Sequence, residues 1–594
     1  MSKKTWLTSF ILLLFVFVSA CGTGAPPAAT QAPPPAQTSA PQPTAPAAAQ
    51  TAAPAQPTTA PQPTTAPQTA APQPTESAGR KVATFIWTQE FDTLNPYYTN
   101  MWFSSVTDQL WMDWAWDFDE ENNPQPVLIT EMPSKANGGI SEDGKTITLK
   151  LRDDLVWSDG EPLTSADFAF TWKMVLDPKN TVASVTPYDL IKSLDTPDPQ
   201  TVVMHFDEPY AAWAGTLWHG ILPQHVLQPV YDSDGTIDNA EWNRKPTVGD
   251  GPFVFSEWES GSYARFVAND NYWLGRPKID EIFFRFVPDD ASQVAALKAN
   301  EGDLGTFIAY SDMPALKDAG VDIRTVFSGY NEGWFMLIDK DRGNPALLDV
   351  NVRKAIAMAF DREKINQDLL LGLTKPAVTY WDNTPYADPS LKPYPYDPEQ
   401  AKALLDAAGW VDSNGDGTRD KDGVELVLRY GTTTREIRQD TQAVAQQELA
   451  DVGIKLDLSN YDSDIFFSGY GENGPAATGQ LDIMEWSDTT NFPDPDVSYW
   501  LCSEIPTDES PAGTNWQRIC DKDLDALFQK QATQVDFAER QQTFREISKM
   551  VYDKVYWLGV WQDPDTWAVG PRLQNVKLSG ATPFFNIAEW DLKQ

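Results

Sequence analysis

The sequence predicts a large α/β body with more than one lobe, carried behind a secretion signal and an unstructured spacer. Residues 80–594 form this body and contain 22 of the 23 Trp residues. Their number suggests roughly three or four domain-sized units, which can bury a core without a metal or a disulfide. Strand-like and helix-like segments alternate there without a regular strand–helix–strand repeat, which favours several lobes over a single barrel or solenoid.

The charge of the chain excludes two classes of partner. The formal net charge is −39, and the first 79 residues contribute only Lys3, Lys4 and Glu76, so the acidic excess belongs to the body. Nucleic-acid binding needs a basic stripe that displaces counterions, and docking on anionic lipid needs a basic patch. We therefore expect no nucleic acid as a partner and no charge-driven contact of the body with a membrane.

The N-terminus has the pattern of an export signal with a lipid attachment site. Residues 1–20 join a short basic start to an uncharged, mostly apolar run, which is short for a membrane-spanning helix. The residues around Cys21 (Val-Ser-Ala before it and Gly after it) resemble the bacterial lipobox, in which the cysteine carries lipid and becomes the mature N-terminus. An ordinary signal with a chance cysteine is the alternative. Two or more lipid chains on Cys21 would anchor the protein stably.

A low-complexity linker follows the cysteine. Residues 21–79 consist mainly of Ala, Pro, Thr and Gln, and 15 of the 47 Pro residues fall between Gly24 and Gly79. The stretch has no aromatic residue and no apolar period, so it cannot bury enough surface to offset the entropy of ordering. We expect a disordered, partly polyproline spacer that holds the body away from the membrane.

Apolar periods and capping residues assign the elements of the body in order. Thr164 is a plausible N-cap, and Asp397 followed by Pro398 begins a helix that Gly409 ends. Alternating patterns predict strands at 82–87, 146–151, 201–206, 253–257, 263–267, 282–287, 424–430 and 454–458. Helical patterns follow Thr164 and Asp397 and recur at 291–299, 349–360, 361–371, 436–450 and over most of 523–552.

Cys502 and Cys520 are the two cysteines of the body. An exported protein folds where disulfides form, and a bond here would close a loop of about 19 residues and contribute about 3 kcal/mol. Two free, buried thiols are the alternative. We expect no metal at this pair, since the three His residues all lie far upstream.

One loop resembles a calcium-binding loop. Oxygen-bearing side chains occur at alternating positions, at Asp412, Asn414, Asp416 and Asp420. Gly417 stands at the sixth position, as that motif requires, but Gly423 stands at the twelfth, where it needs a bidentate Glu. An Asx- and Gly-rich turn is therefore the alternative. No other cofactor is expected.

A non-enzymatic function is favoured over catalysis. His205, His219 and His225 are the only His residues, and neither a nucleophile elbow nor a metalloprotease helix motif occurs. Acidic pairs suited to glycoside hydrolysis are uninformative in so acidic a chain. A secreted hydrolase is the remote alternative, and no catalytic residue is assigned.

Seven segments of the body form a recognisable series. They are LRDDLVWSDGEPLTSADFAFTW, ILPQHVL, GDGPFVFSEWESGSYARFVANDNYWLGRPKIDEIFFRFVPD, ALKANEGDL, DVNVRKAIAMAFDREKI, YDPEQAKALLDAAGW and NFPDPD. In this order they resemble the bacterial extracellular solute-binding proteins of family 5, the peptide-binding components of ABC importers. Each segment alone is a weak signal, but the resemblance covers essentially all of residues 80–594.

The resemblance implies a periplasmic-binding-protein-like fold of two lobes (type II, cluster C-like) with an inserted subdomain. Ligand would be enclosed between the lobes by closure about a hinge near 328–334 and a second crossover near 560–567. The implied boundaries are 80–126, 246–330 and 562–594 for lobe I, 127–245 for the subdomain and 331–561 for lobe II.

The same resemblance points to ligand-binding residues. Peptide-binding members use an Asp of the NFPDPD-like loop to hold the α-ammonium group of the ligand. Asn491 stands at that place here and cannot offer the full charge-assisted bond, so Asp488, three residues earlier, is the candidate substitute. Trp residues in loops beside polar groups are candidates to stack on ligand, namely Trp381, Trp486 and Trp516.

The expected ligand is an oligopeptide, with an oligosaccharide as the alternative because aromatic and Asn/Asp-rich loops suit both. The further partners implied are the permease subunits of an ABC importer and, through the lipid anchor, the outer face of the cytoplasmic membrane. We expect an exported monomer at the cell surface or in the periplasm.

Overall fold

The computed structural model describes residues 79–488, 492–495 and 497–593. The described residues belong to one compact unit. The predicted signal, Cys21 and the predicted linker up to residue 78 lie outside the described residues. Within the part of the chain that is described, no helix is long and apolar enough to cross a bilayer.

The described chain begins with a long strand and then enters a small three-stranded subdomain. The elements are β1 (Val82–Trp87), α1 (Trp102–Asp108), β2 (Trp116–Phe118), β3 (Pro124–Pro126), β4 (Thr146–Lys150), α2 (Ser165–Leu176), β5 (Ile191–Asp198), β6 (Thr201–Phe206), α3 (Trp213–Thr216) and α4 (Gln224–Asp234). β6 lies between β4 and β5 and is antiparallel to both. The predicted N-cap of α2 is confirmed, since Thr164 and Asp167 form a capping box there.

The chain next returns to the sheet that β1 began. The elements are β7 (Phe253–Glu259), β8 (Tyr263–Ala268), β9 (Glu281–Phe286), α5 (Asp290–Lys298), β10 (Leu304–Thr306), α6 (Met313–Asp318) and β11 (Asp322–Val326). β7 and β8 form the predicted antiparallel hairpin. β9 and β10 flank β1 and run parallel to it.

A second sheet and its helices come from the following stretch. The elements are β12 (Asn331–Met336), α7 (Val350–Ala359), α8 (Arg362–Asp368), α9 (Pro398–Ala407), β13 (Asp420–Lys421), β14 (Val424–Glu425), β15 (Val427–Thr433), α10 (Glu436–Ala450), β16 (Lys455–Tyr461), α11 (Ser463–Phe466), β17 (Ile483–Trp486), α12 (Lys522–Ala532), α13 (Phe537–Lys554) and β18 (Trp557–Gln562). The chain ends with β19 (Asp565–Val569), β20 (Leu573–Gln574) and β21 (Asp591–Leu592).

Two large sheets organise the two lobes. Lobe I holds a seven-stranded sheet in the order β11-β19-β10-β1-β9-β8-β7, and lobe II a five-stranded sheet in the order β16-β15-β17-β12-β18. In lobe I the core gathers around Trp87, Trp567 and Phe584. In lobe II neighbouring strand residues face opposite cores, because side chains alternate along a strand: Trp334 packs among α7, α9 and α10, and Phe335 packs among α12 and α13.

The chain passes between the two sheets twice. Residues 327–330 connect β11 to β12, and residues 563–564 connect β18 to β19. The backbone N–H of Asp563 donates to the carbonyl oxygen of Tyr330 at 2.9 Å, so the two crossovers run side by side. The boundaries that the resemblance implied for lobes and subdomain stay predictions.

Most predicted elements are confirmed, and the differences are local. α10 has the predicted bounds, and Asp361 and Asp397 cap α8 and α9 as expected. The helix predicted over most of 523–552 is two helices, since Thr533 ends α12 and Asp536 caps α13. The break between them contacts the subdomain, since Val535 packs in the subdomain's apolar core.

Candidate functional site

The candidate site lies where the carboxyl ends of strands from both sheets meet. In lobe II, β15, β16 and β17 are parallel, and β18 ends at the same edge because both it and β17 run antiparallel to β12. In lobe I the carboxyl ends of β1, β9, β10 and β11 share one edge. Ligands of open α/β sheets bind in the crevice outside the carboxyl ends of the strands. Both crossovers lie there.

Acidic side chains converge on a tyrosine at this edge. We call Tyr330, Arg435, Asp488, Asp563 and Asp565 the crossover cluster. Tyr330 precedes β12, and its side chain is 41% exposed. Partial burial raises the pKa of the Tyr330 phenol, and the negative charges of Asp488, Asp565 and Asp563 raise it further. The charges of three carboxylates, from two different stretches of chain, therefore act on one half-exposed phenol.

Asp565 begins β19 and is half-buried in the crossover. Burial raises the pKa of Asp565 to about 6, and the negative charge of Asp563 also raises it. A hydrogen bond from Ser328 acts in the opposite direction and lowers it. Among the described residues it forms no ion pair with a basic side chain. The ionised form of such a carboxyl group has lost part of its hydration. It therefore gains most from a cationic ligand, whose charge would replace that hydration.

Asp563 is held in place by lobe II. Its carboxylate accepts from Arg435 Nη1 at 3.1 Å and from Ser487 Oγ at 3.2 Å. Burial alone would lower the pKa of Arg435, but Asp563 and Glu332 outweigh it and raise that pKa. These bonds join the ends of β15, β17 and β18, so they fix the edge of the sheet on which the cluster rests.

A buried ionic layer supports the cluster from beneath. Arg438 donates from Nε and Nη2 to the two carboxylate oxygens of Glu332, both at 2.9 Å. Burial raises the pKa of Glu485 well above its usual range, with a contribution from Glu332, and Tyr430 donates a hydrogen bond to it. Bidentate Arg–carboxylate geometry of this kind is specific as well as strong, so the Arg438–Glu332 pair holds the residues below the crossover in one arrangement.

Two half-exposed aromatic residues lie near the start of β19. Phe307 directly follows β10 and its ring is 45% exposed, although its backbone N–H is bonded to Thr566 O at 3.0 Å. Trp102 packs against it with a ring-centroid distance of 4.7 Å. Half-exposed aromatic rings next to carboxylates can hold the apolar and cationic parts of one ligand.

The structure distributes the five predicted ligand residues over different environments. Asp488 follows β17, is half-buried, and accepts a hydrogen bond from Tyr499 Oη. Trp516 is half-buried and donates from Nε1 to Gly513 O at 3.2 Å. Asn491 lies outside the described residues. Of these five, Asp488 is the one that belongs to the crossover cluster.

The other two predicted residues lie in the core of lobe II. The expectation that Trp486 occupies a loop is wrong, since it is the last residue of β17 and is 1% exposed. Its ring stacks on Phe335 at a centroid distance of 3.7 Å. Trp381 is equally buried and packs against Trp500 at 5.4 Å. As direct ligand contacts, both stay predictions.

The two remaining predicted sites have clear geometries. Cys502 and Cys520 form a disulfide, with their Cα atoms 4.7 Å apart. In the calcium-like loop, Asp412 accepts from the backbone N–H groups of Gly415 and Gly417. The described residues contain no group of three or more His, Cys, Asp or Glu side chains placed to hold a metal ion. The calcium site stays a prediction.

Sequence reasoning did not single out Tyr330, Arg435, Asp563 or Asp565. A signal existed, because all but Arg435 fall inside or beside the stretches predicted as hinge and crossover. Polar and aromatic residues between two buried strands of different sheets must line the junction of those sheets. Arg435 had no comparable signal, since its contact with Asp563 depends on the order of the strands in the sheet.

Comparisons with known proteins agree on the kind of molecule. Residues 123–505 match the family described as Bacterial extracellular solute-binding proteins, family 5 Middle. The oligopeptide-binding protein AppA of Bacillus subtilis is 25% identical over 488 residues, which span 80% of this chain and 84% of AppA. The predicted two-lobe α/β class is confirmed by the solved structures that resemble this chain.

Two of those structures illustrate the likeness. AppA from Bacillus subtilis in complex with a nonapeptide has a TM-score of 0.56 at 21% identity, covering 87% of this chain and 100% of AppA. An ABC transporter substrate-binding protein from Sinorhizobium meliloti has a TM-score of 0.71 at 23% identity, covering 86% and 100%. At these identities the structural likeness carries the fold alone.

Proposed function

The chain belongs to the bacterial extracellular solute-binding proteins of family 5, and from this premise we propose that it captures an oligopeptide between its two lobes and delivers it to the permease of an ABC importer. The relatives are binding proteins of transporters, which supports a receptor without catalytic activity. The similarity to AppA, an oligopeptide-binding protein, supports a peptide as the ligand.

One observation carries the choice of peptide. The charges of Asp488, Asp563 and Asp565 act together on Tyr330 at the carboxyl ends of the strands, where the two sheets meet. The α-ammonium of a peptide supplies a positive charge for Asp565, which forms no ion pair among the described residues, and charge-assisted hydrogen bonds to carboxylates are about twice as strong as neutral ones. We assign the α-ammonium to Asp488 and Asp565, with Tyr330 beside them.

The rest of the ligand would extend along the aromatic wall. Phe307 and Trp102 offer a half-exposed apolar surface beside the start of β19. Such surfaces tolerate different side chains, because stacking and apolar contact depend weakly on chemical detail. Closure of the lobes about the paired crossovers would then enclose the ligand.

The same proposal covers the route to the membrane. The signal-like residues 1–20 and the lipobox-like surroundings of Cys21 support export and lipidation, with the Pro-rich linker as a tether. Cys21→Ser should release the protein from membranes into the soluble fraction. Persistent membrane fractionation of that variant would count against the anchor.

An oligosaccharide is the second candidate ligand. The exposed rings of Phe307 and Tyr330 favour it, since sugar rings stack on aromatic faces. A sugar, however, leaves the charge of Asp565 uncompensated in a buried position, whereas an ammonium group neutralises it.

Native mass spectrometry of the purified protein tests the proposal. Peptides should be released when the protein is unfolded, and a mixture of synthetic nonapeptides with free amino termini should bind in calorimetry. N-acetylation of the same peptides should weaken binding by tenfold or more. Release of sugars would favour the second candidate, and chemical turnover of the added material would favour a hydrolase instead.

A further inference from the structure

Tyr499 contacts a residue of the crossover cluster directly. Its phenol Oη donates a hydrogen bond to Asp488 Oδ2. Tyr499 lies in the short turn Ser498–Trp500, whereas Asp488 directly follows β17, and both side chains are half-buried. A donor that sequence reasoning did not single out thus bonds to the carboxylate that we assign to the α-ammonium of the ligand.

The core of lobe II fixes the ring of Tyr499. The ring lies against Phe335 and Trp486, at centroid distances of 6.0 and 6.1 Å. Both neighbours are fully buried and lie on the inner strands β12 and β17. The next residue in the chain, Trp500, is buried in the same core. Rings in a packed core keep one rotamer, so the phenol donates to Asp488 from a fixed position.

The loop closed by the disulfide holds the backbone next to Tyr499. Asn515, which is fully buried, donates from Nδ2 to the carbonyl oxygens of Leu501 and Ile519, at 3.0 and 2.8 Å. These two residues directly precede the two cysteines of the disulfide. The turn that carries Tyr499 is therefore fastened to a covalently closed loop as well as to the core.

A phenol held in this way changes what a carboxylate can bind. A donated hydrogen bond favours the charged form of a carboxyl group over the neutral form. It also restricts rotation of the carboxylate, because a hydrogen bond weakens steeply when its geometry is distorted. A charged group that is already oriented binds an ammonium group more tightly, since less order has to be imposed when the ligand arrives.

We propose that Tyr499 is a positioning residue: it orients the carboxylate of Asp488 for the ammonium group of the ligand, and so sets the preference of the site for a free amino terminus. The inference rests on the proposed function for its ligand, whereas the contact between the two side chains stands without one. Tyr499 needs no contact of its own with the ligand, because it acts through Asp488.

The test compares Tyr499→Phe with Tyr470→Phe. Tyr470 is a matched control, because it is also a half-buried tyrosine of lobe II that donates to a carboxylate, Asp508 Oδ1, at 3.0 Å. Each variant removes one hydroxyl group and keeps the ring. Calorimetry with the free-amine nonapeptide mixture should give about tenfold weaker binding for Tyr499→Phe, since hydrogen bonds to charged groups are strong. Tyr470→Phe should change the affinity by less than about twofold.

Two further measurements separate positioning from a general structural effect. The N-acetylated peptides lack the ammonium group, so Tyr499→Phe should change their affinity by less than about twofold. In an Asp488→Asn background, Tyr499→Phe should also weaken binding of the free-amine peptides by less than about twofold, because the group that it positions has already lost its charge. A tyrosine that only supported the fold would lower the affinity for both peptides and in both backgrounds.

The outcomes distinguish the positioning role from the proposed function. Unchanged affinity in Tyr499→Phe overturns the positioning role, and so do equal losses for the free-amine and acetylated peptides or a full loss in the Asp488→Asn background. If the wild-type protein binds none of the nonapeptides, the proposed function fails instead, and urea denaturation of the ligand-free protein decides the contact. The midpoint shifts of Tyr499→Phe and Asp488→Asn should then be non-additive in the double variant, and additive shifts overturn the contact.

Discussion

Two groups of aromatic residues, one in the core of lobe II and one at its border with lobe I, differ in their exposure to solvent. The tryptophan cluster of Trp381, Trp486, Trp500 and Trp557 lies in the core of lobe II. The aromatic residues near the crossovers, Tyr330 and Phe307, are each more than 40% exposed, and the charges of half-buried carboxyl groups act on Tyr330. Sequence reasoning favoured the tryptophans because of their size and polar N–H. The difference teaches that a tryptophan in a polar-looking stretch can be a core residue, so ring type alone does not predict exposure.

The largest expected effect separates the two regions by stability. Trp486→Ala removes a fully buried ring that stacks on Phe335, so the free energy of unfolding should fall by about 3–5 kcal/mol. Tyr330→Ala should cost less than about 1 kcal/mol, since its side chain is half-exposed. Urea denaturation of both variants measures the contrast. If Trp486→Ala kept the stability of the wild type but lost ligand binding, Trp486 would be a ligand contact.

The next effect concerns charge in the crossover cluster. Asp488→Asn keeps the shape of the side chain but removes its charge, so binding of a free-amine nonapeptide should weaken by about tenfold or more, while the N-acetylated peptide should be little affected. Asp457→Asn is the control, because that carboxylate is exposed on β16. Equal losses for both peptides would remove Asp488 from the α-ammonium site.

The pH dependence of binding should follow Asp565. Its pKa is raised by burial to about 6, so the carboxyl group is mostly protonated at pH 5 and ionised at pH 7.5. If the ionised form binds the ammonium group, affinity should be about tenfold weaker at pH 5 than at pH 7.5. Asp565→Asn should flatten this profile, and an unchanged slope in that variant would exclude Asp565 as its cause.

The stability of the free protein should change with pH in the opposite direction. Because the pKa of Asp565 is higher in the folded state than in the unfolded chain, the folded state binds more protons between about pH 4 and pH 6. This residue therefore lowers stability as pH rises through that window, by about 1–3 kcal/mol in total. Thermal unfolding at pH 7.5 should show Asp565→Asn to be more stable than the wild type.

The smallest expected effect concerns the calcium-like loop. Asp412 and Asp416 already accept hydrogen bonds from backbone N–H groups of the same loop. Removal of calcium with a chelator should therefore shift the melting temperature by less than about 1 °C. A larger shift that Asp412→Asn abolishes would establish a structural calcium site.

Much of the local structure could be predicted from the sequence. Thr164, Asp361 and Asp397 cap helices as their side chains suggest, because capping depends on neighbours two or three residues away. The break between α12 and α13 was missed. Its capping residue Asp536 was present in the sequence, but the apolar pattern continues across it, since Val535 is buried against the subdomain and not within its own lobe.

The candidate site could be predicted only in part. Asp488 was identified by its distance from a family-like loop, and the crossover stretches by their order in the chain. Arg435, Asp563 and Asp565 acquire their meaning from strand order, which brings the ends of β15, β17 and β18 together. No local pattern encodes that order, because it depends on pairings between residues far apart in the chain, such as Tyr430 with Ile483 and Trp334 with Leu558.

The sequence by itself determined the family, the acidic charge that excludes nucleic acid, and most helices and strands. These follow from composition, short-range periodicity and segments in a fixed order. The tertiary structure decided which aromatic rings are buried, which carboxyl groups share one site, and which phenol contacts Asp488. The physical reason is that burial raises the energy of an uncompensated charge and removes a ring from solvent, and burial is a property of the packed chain and not of its local sequence.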